Sequence, residues 1–345
     1  MEERVRLAKA KQIDNRTPKT VVVSKLFLAM IALVALCASA VAQENTAEEW
    51  YKKGRNFDTN GYYQEAIEAF DKVIQIDPMN ASAWLDKGNA LVSLALVKND
   101  GFDEAIKAFD KATEINPQYE EAWFRKGDTL LLIAMVKHDL EKYNESLKSL
   151  NEALEINPTY VDAWTTKASV LLAQQKNVDA IETVDKALNL DRNNSGAWIT
   201  RANALANLHR YNESVEAYAK AIENTPPNLT EQLASTWFQK SNVLQMSDRM
   251  PEANEAFDKT LKLDPKNIYL WMMAKGDFLN KTGKHEEAIK AYDEIIESVE
   301  SSKSSNAQSI LPKVWYNKGL ALKALSFQDK ADEAFAKAEE LGNVS

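Results

Sequence analysis

The sequence predicts an all-α fold in which two-helix units stack as a solenoid. Eight tryptophans divide most of the chain into units of similar length, small residues follow them at a fixed spacing, and prolines recur near the unit ends. A period of 34 residues, lengthened by insertions, is typical of helix-turn-helix repeats rather than of a globular enzyme domain. The tryptophans are Trp50, Trp84, Trp123, Trp164, Trp198, Trp237, Trp271 and Trp315, separated by 34, 39, 41, 34, 39, 34 and 44 residues.

The first helix of each unit combines an apolar stripe with one small residue. The small residue stands four positions after the tryptophan, and an apolar residue follows three positions later. Bulky residues at this spacing share one helix face, and the small residue lets an antiparallel helix approach closely. The small residues are Gly54, Gly88, Gly127, Ala168, Ala202, Ser241 and Gly319, and the apolar residues are Phe57, Leu91, Leu130, Leu171, Leu205, Leu244 and Leu322.

The second helix of each unit carries a small residue followed four positions later by a large one. A proline then closes most units, because proline cannot continue a helix interior. The pairs are Ala66/Phe70, Ala105/Phe109, Ser146/Leu150, Ala180/Val184, Ser214/Tyr218, Ala253/Phe257, Ala288/Tyr292 and Ala331/Phe335, and the prolines are Pro78, Pro117, Pro158, Pro226 and Pro265.

These positions together resemble the tetratricopeptide repeat, whose pattern is W-x2-L-G-x2-Y, then A-x3-F, then P. The resemblance covers residues 47–345 and implies a right-handed superhelical solenoid of about eight helix-turn-helix units. Repeats 1 to 8 are assigned to residues 47–80, 81–119, 120–160, 161–194, 195–228, 234–267, 269–302 and 312–345. The variant with Trp-x-x-Lys-Gly is similar to prokaryotic, often archaeal, members of the family.

A base stands three residues after the tryptophan, where the family pattern has leucine. We interpret these bases as laying their stems along the helix pair and pairing with acids, rather than as binding an anionic ligand. The expected partners are aspartates that recur directly after the large residue of the second helix. The bases are Lys53, Lys87, Lys126, Lys167, Arg201, Lys240 and Lys318, and the acids are Asp71, Asp110, Asp185, Asp258 and Asp293.

Repeat 7 is out of frame by one residue. Gly276 and Lys275 place Met272, and not Trp271, in the tryptophan position. Trp271 is therefore expected to face a different environment from the other tryptophans.

Residues 1–42 predict a secretory signal peptide, followed by a linker at residues 43–46. Leu26–Ala42 is a run of 17 apolar or small residues that ends in Ala-Val-Ala, as before a signal cleavage site. A bilayer span needs about 20 residues, so an uncleaved signal anchor that attaches the protein to a membrane through residues 20–42 is the alternative. Seven bases and three acids precede the run, which keeps the N-terminus inside and exports the repeats. An extracytoplasmic location, secreted or in the cell envelope, is expected.

The exported part is acidic and has no cysteine. Of 42 bases and 51 acids, 7 and 3 lie in residues 1–42, which leaves 35 bases, 48 acids and a net charge of −13. Nucleic-acid binding requires a basic surface, so it is not expected of this acidic part of the chain. The one cysteine, Cys37, lies in the signal segment, so disulfides and thiol chemistry are not expected in the repeats.

Insertions lengthen the first helices of repeats 2 and 3 and separate repeats 7 and 8. The apolar tips Ala95-Leu96-Val97 and Ala134-Met135-Val136 are expected to cover each other, with a protruding partner site as the alternative. The serine-rich stretch 298–311 predicts a flexible connection.

The resemblance places the first helices on a concave face, where the residues one and five positions after the tryptophan would point. An apolar row beside an amide row suits an extended peptide, because amides bond a peptide backbone of any sequence. The predicted peptide-binding residues are Tyr51, Leu85, Asn89, Phe124, Ile199, Asn203, Phe238, Asn242, Met273 and Tyr316.

The sequence gives no pattern that indicates catalysis or a cofactor. His138, His209 and His285 lack metal-ligand spacing, and neither a phosphate-binding glycine loop nor a nucleophile elbow occurs. The expected function is an exported, non-enzymatic scaffold that binds a protein or peptide segment. The alternative is a membrane-anchored structural component with the repeats as a stalk.

Overall fold

The computed structural model describes residues 46–98, 100–302 and 308–342. These residues form α-helices and one short 3-10 helix, with no strand among them, which confirms the predicted all-α fold. The predicted signal segment 1–42 lies outside the described residues, as do residues 43–45 of the predicted linker.

The chain divides into two compact units, the first ending at Val136 and the second beginning at Lys137. The helices of the first unit are α1 (Ala47–Thr59), α2 (Tyr63–Ile76), α3 (Ala81–Lys98), α4 (Phe102–Ile115) and α5 (Glu120–Lys137, whose last residue is at the boundary). Those of the second unit are α6 (Leu140–Ile156), α7 (Val161–Ala173), α8 (Asn177–Leu190), α9 (Ser195–Asn207), α10 (Tyr211–Asn224), α11 (Thr230–Met246), α12 (Met250–Leu263), α13 (Ile268–Lys281), α14 (His285–Ser302), α15 (Leu311–Ala324) and α16 (Gln328–Leu341).

Within a repeat, the two helices are held together where a large side chain of the second helix meets the small residue of the first. A Cβ atom added at Gly276 would lie 2.6 Å from the ring of Tyr292, and one added at Gly319 would lie 2.6 Å from the ring of Phe335. Since these distances are below van der Waals contact, only glycine allows the observed approach. The small residues after the tryptophans therefore have the packing role that their spacing predicted.

Capping side chains mark the starts of some helices, and residues with positive φ form several of the turns. Thr46 caps helix α1 by accepting a hydrogen bond from the Glu49 amide at 3.2 Å, and Asn80 accepts one from the Ala83 amide at 2.9 Å before helix α3. Several turns between the two helices of a repeat contain a residue with positive φ, including Gly61, Gly283 and Asp248. Such turns bring the second helix back along the first.

The joint between repeats 6 and 7, where α12 meets the 3-10 helix Pro265–Asn267 and α13, has less packing than its neighbours. Helix α12 approaches α13 at only a few residues, whereas α10 packs along α11 and α14 along α15. One core cluster contains buried residues from Ala202 to Ala256, and another contains residues from Met273 to Ala321. We call this place the 6–7 joint.

Candidate partner-binding surface

The tryptophans of repeats 2 to 5 each donate a hydrogen bond to the turn that precedes them. The indole Nε1 of Trp84 donates to the carbonyl oxygen of Pro78 at 3.1 Å, and Trp164 donates to Pro158 at 2.9 Å. Trp198 makes the same bond to the residue six positions earlier, Arg192, at 2.8 Å. Their polar edges are thus used within the protein, so these rings are structural.

The predicted base–aspartate pairs are confirmed at four repeats. Each base reaches the aspartate of the preceding second helix and also lies over the ring of its own tryptophan, which adds a cation–π contact. The pairs are Lys87–Asp71 at 2.6 Å, Lys126–Asp110 at 2.6 Å, Arg201–Asp185 at 2.9 Å and Lys318–Asp293 at 2.6 Å. The distances from base to ring centre run from 4.6 Å for Lys318 to 5.9 Å for Arg201.

Lys167 and Lys240 differ because the position that would supply their aspartate is uncharged. The residue after the large side chain of the preceding second helix is Asn151 for Lys167 and Ala219 for Lys240. Burial, helped by nearby Lys186, lowers the pKa of Lys167, and burial beside Arg249 lowers that of Lys240. Asp258, which the sequence also suggested as a partner, forms no described salt bridge.

The residues one position after the tryptophan pack inward onto the second helix, so the predicted apolar row is only partly accessible. Leu85 is 2 % exposed, Phe124 7 % and Met273 8 %. The reason is that this position faces the large residue of the second helix, as the ring pairs show. Those pairs are Tyr51–Phe70 at 5.8 Å, Phe238–Phe257 at 6.3 Å and Tyr316–Phe335 at 5.4 Å between ring centres.

The accessible members of the row are Tyr51, Ile199, Phe238 and Tyr316, of which Tyr316 is the most exposed. Tyr51 donates to Asp86 Oδ2 at 2.6 Å, and burial together with this bond raises its pKa to about 12. A partner could therefore contact these four side chains without a change in the helix pairs, whereas Leu85, Phe124 and Met273 could not take part in this way.

The residues five positions after the tryptophan form polar contacts from one repeat to the next. Ser169 and the hydroxyl of Thr200 lie 3.2 Å apart. The hydroxyl of Tyr218 contacts Asn203 Oδ1 and lies 3.1 Å from Gln239 Oε1.

The same arrangement recurs at the joint between repeats 7 and 8. Tyr292 donates to Asp277 Oδ1 at 2.6 Å, and Asn317 Nδ2 donates to the same oxygen at 2.7 Å. Burial raises the pKa of Tyr292, and the hydrogen bond and negative charge of Asp277 raise it further. The hydroxyl of Tyr292 therefore stays protonated and remains a donor. Where these residues are present, the polar row forms its hydrogen bonds within the protein.

Asn242 breaks this pattern at the 6–7 joint. Its buried Oδ1 has no hydrogen-bond partner among the described residues. Phe257 stands where Tyr218 and Tyr292 supply hydroxyls to the equivalent residues, and Ala274 stands where Asn317 donates its amide to Asp277. Neither kind of donor is available to Asn242, which leaves one amide oxygen of the predicted row unpaired. Asn89, the remaining predicted amide, is half-buried on α3.

Trp271 occupies the new environment that its shifted frame predicted. Its Nε1 donates to the carboxylate of Asp264 at 3.0 Å, and its ring lies 5.4 Å from that of Phe238. The hydrogen bonds from Asn267 and Trp271 lower the pKa of Asp264. The contact was not foreseen from sequence, although the shift that produces it was. It places a second half-buried aromatic ring beside the predicted residue Phe238.

The last two apolar residues of each tip of α3 and α5 are exposed, so the expectation that the tips cover each other is wrong for them, whereas Ala95 and Ala134 are buried. Leu96 and Val97 are 59 % and 74 % exposed, and Met135 and Val136 are 54 % and 60 % exposed. The extra helical turns carry these side chains beyond the region where the second helices pack. The tips are consequently a second accessible apolar surface.

Neither a metal site nor a membrane span is present in the described part of the chain. No group of three or more histidine, cysteine, aspartate or glutamate side chains there could hold a metal ion. Among the same residues, no helix has both the length and the apolar character needed to cross a bilayer.

Comparison with known protein families agrees with the repeat pattern. Models described as tetratricopeptide repeats match residues 47–80, 93–133, 138–203, 195–228 and 238–303. Together these matches span more than half of the chain. Among curated proteins, none matches in sequence.

Solved structures of low sequence identity align with parts of this chain. PilF of Pseudomonas aeruginosa aligns with 64 % of this chain and 92 % of its own, with a TM-score of 0.51 and 18 % identity. MamA aligns with 53 % of this chain and 92 % of its own, with a TM-score of 0.44 and 22 % identity. YrrB, described as a TPR protein with an unusual peptide-binding site, aligns with 61 % and 98 %, with a TM-score of 0.42 and 22 % identity. At such identity the likeness concerns the fold alone.

Proposed function

Because this chain belongs to the tetratricopeptide-repeat family, whose members are generally non-enzymatic protein-interaction scaffolds, we propose that it binds an extended segment of a partner protein. The observation that carries this proposal is the face of helix α11 at the 6–7 joint. It combines the Phe238–Trp271 aromatic pair with the unpaired amide oxygen of Asn242. No catalytic role is proposed for any residue.

The chemistry of this face suits an extended peptide. Phe238 and Asn242 are four residues apart and lie on the same side of the helix. The half-buried Asn242 side chain would turn its unpaired Oδ1 outward to accept a backbone N–H of the partner, and an apolar side chain would pack beside the two rings. An amide oxygen that is buried without a partner is costly, so a ligand that supplies a donor gains affinity there.

The test is partner recovery by the full-length protein from extracts of its native cells. Phe238→Ala is expected to reduce recovery of the main bound protein at least tenfold, because aromatic anchors dominate interface energies. Phe327→Ala is the matched control, since Phe327 is an exposed aromatic outside the predicted row, and it should leave recovery unchanged. Equal recovery with Phe238→Ala and wild type, at equal helix content, would refute the proposed surface.

We further propose that the repeats act outside the cytoplasm. The support is the apolar run at residues 26–42 and the excess of bases before it. Release of the protein from cells by a detergent-free wash is the expected result. A requirement for detergent would instead favour the anchored alternative, with the apolar run retained.

A further inference from the structure

Two lysines of repeat 4 lie over one tryptophan ring without an acid to pair with. The amine of Lys167 lies 5.2 Å from the centre of the Trp164 ring, and that of Lys186 lies 4.6 Å from it. Neither amine forms a hydrogen bond or an ion pair with a described residue. Two positive charges are thus gathered at Trp164 with no anion bound to them within the described part of the chain.

Two asparagines account for the missing acids. Asn151 takes the place of the aspartate that pairs with the base at other repeats, and Asn189 follows Lys186 by three residues. At the position of Asn189, repeats 2, 5 and 8 have a glutamate that pairs with the lysine before it. These pairs are Lys111–Glu114 at 2.6 Å, Lys220–Glu223 at 2.7 Å and Lys337–Glu340 at 2.6 Å. Since repeat 4 has no such glutamate, Lys186 extends over Trp164 instead.

Both lysines belong to a groove between the second helices of repeats 3 and 4. Equivalent grooves lie between α8 and α10 and between α14 and α16, and each is lined by a tryptophan, the base three residues after it, and a lysine of the second helix. The lining residues are Trp198, Arg201 and Lys220 in the first, and Trp315, Lys318 and Lys337 in the second. We call the corresponding place, formed by Asn151, Trp164, Lys167 and Lys186, the Trp164 groove.

The charge of Lys167 is held in an unfavourable environment. Its side chain is half-buried, and burial together with the charge of Lys186 lowers its pKa. Three acids occupy positions that line the equivalent grooves, but Glu155, Asp179 and Glu182 form no ion pair with either lysine. An anion that entered the groove would therefore meet two amines that are free to donate charge-assisted hydrogen bonds.

We propose that the Trp164 groove binds a carboxylate from an aspartate or glutamate side chain of a partner protein. The ligand would fill the place that Asp185 fills one repeat later, where Arg201 lies 2.9 Å from the carboxylate oxygen. A carboxylate is favoured over a phosphate because carboxylates occupy the equivalent place beside Lys87, Lys126 and Lys318.

This site lies on α6, α7 and α8 and shares no residue with the proposed surface at the 6–7 joint. It rests on the proposed function only in taking a protein as its natural ligand, and it can be tested without any partner. The full-length protein is labelled with 5-fluorotryptophan, and the Trp164 fluorine signal is assigned by its loss in Trp164→Phe. The probes are the α-amide of N-acetylglutamate, its neutral glutamine counterpart and inorganic phosphate, all at the same ionic strength.

The glutamate probe is expected to shift the Trp164 signal saturably, at concentrations at least tenfold lower than either other probe. Asn151→Asp supplies a carboxylate from within the protein and should weaken this response at least tenfold, whereas Asn151→Ala should retain it. The other tryptophan signals should stay in place, which shows that the fold is kept. Lys186→Met should weaken the response, and Lys220→Met is its matched control, because Lys220 has the same position in repeat 5 and is paired with Glu223.

Three results would overturn the inference. They are no saturable shift with the glutamate probe, an equal response to the glutamine probe, or an unchanged response in Asn151→Asp. A response to phosphate at lower concentration than to the glutamate probe would assign the groove to phosphate and also reject a carboxylate site. Because the probes are small molecules and Phe238 lies outside the groove, failure here leaves the partner-recovery test intact, and failure of partner recovery with Phe238→Ala leaves this result intact.

Discussion

The joint between repeats 4 and 5 and the 6–7 joint use the same positions of the repeat, but polar groups that are paired at the first have an unpaired counterpart at the second. At the former, Arg201 pairs with Asp185 at 2.9 Å, and Ser169 meets Thr200 at 3.2 Å. At the 6–7 joint, the amide oxygen of Asn242 has no hydrogen-bond partner among the described residues, and the Trp271 ring lies beside that of Phe238.

The difference shows how one displaced residue alters a single joint of a repeat protein. In a solenoid each repeat contacts only its neighbours, so a local change of frame alters one joint and leaves the others intact. The change at repeat 7 removes a polar partner at Ala274 and adds an aromatic ring at Trp271. The joint therefore has one unpaired amide oxygen and one additional aromatic contact, which are the features that carry the proposed partner-binding surface.

The substitution with the largest expected effect tests whether the two helices of repeat 7 pack against each other as in the other repeats. Gly276→Ala should destabilise the protein by about 2 kcal/mol, because overpacking of this kind costs about 1–3 kcal/mol and the added Cβ would lie 2.6 Å from the Tyr292 ring. The measurement is the midpoint of urea unfolding followed by circular dichroism.

Gly196→Ala in helix α9 is the matched control for this substitution. Its new Cβ would meet nothing closer than 3.4 Å, so the change should stabilise by about 0.4–1 kcal/mol through lower backbone entropy of the unfolded chain. If Gly276→Ala behaved like Gly196→Ala, the register assigned to repeat 7 would be incorrect.

A smaller effect is expected from supplying the aspartate that Lys167 lacks. Asn151→Asp should recreate the pair seen between Arg201 and Asp185. It should add about 0.5 kcal/mol at low salt, since pairs that remain partly exposed contribute little. Burial lowers the pKa of Lys167 in the wild type, and the new carboxylate would raise it.

The pH dependence of Asn151→Asp follows from that change. A lysine whose folded-state pKa is raised stabilises below its unfolded pKa, and the gain is lost as pH rises through the folded-state value. The advantage of the variant should thus be present at pH 7 and shrink in strongly alkaline solution. Unfolding curves of variant and wild type at both pH values measure it, and a gain that did not decrease with added salt would contradict an ion pair.

The sequence was sufficient to predict the fold and the base–aspartate pairs because both depend on spacing. Helix faces repeat at fixed intervals, so Lys87, Lys126, Arg201 and Lys318 could be matched to their aspartates before any coordinates. The frame shift at Trp271 was visible for the same reason.

Accessibility within the predicted row could not be obtained from spacing. Leu85, Phe124 and Met273 are buried because the position after the tryptophan faces the neighbouring second helix as well as the proposed surface. The exposure of Leu96, Val97, Met135 and Val136 depends on how far α3 and α5 extend past their partners, which helical periodicity does not define.

The central claim is that the amide oxygen of Asn242 is unpaired because Phe257 lacks the hydroxyl that Tyr218 supplies to Asn203. Exchanging these two residues tests it directly. Hydrogen exchange is the appropriate measurement, because long repeat arrays need not unfold in one transition. Phe257→Tyr should give Asn242 a donor and Tyr218→Phe should remove one from Asn203, each worth about 1 kcal/mol.

Phe257→Tyr should therefore slow amide exchange in α11 and α12 by about fivefold, since 1.4 kcal/mol corresponds to about tenfold, and it should lower partner recovery. Tyr218→Phe should accelerate exchange in α9 and α10 by a similar factor. The account would be contradicted if Phe257→Tyr left exchange unchanged or faster while Tyr218→Phe accelerated it, because Asn242 would then not be an open acceptor.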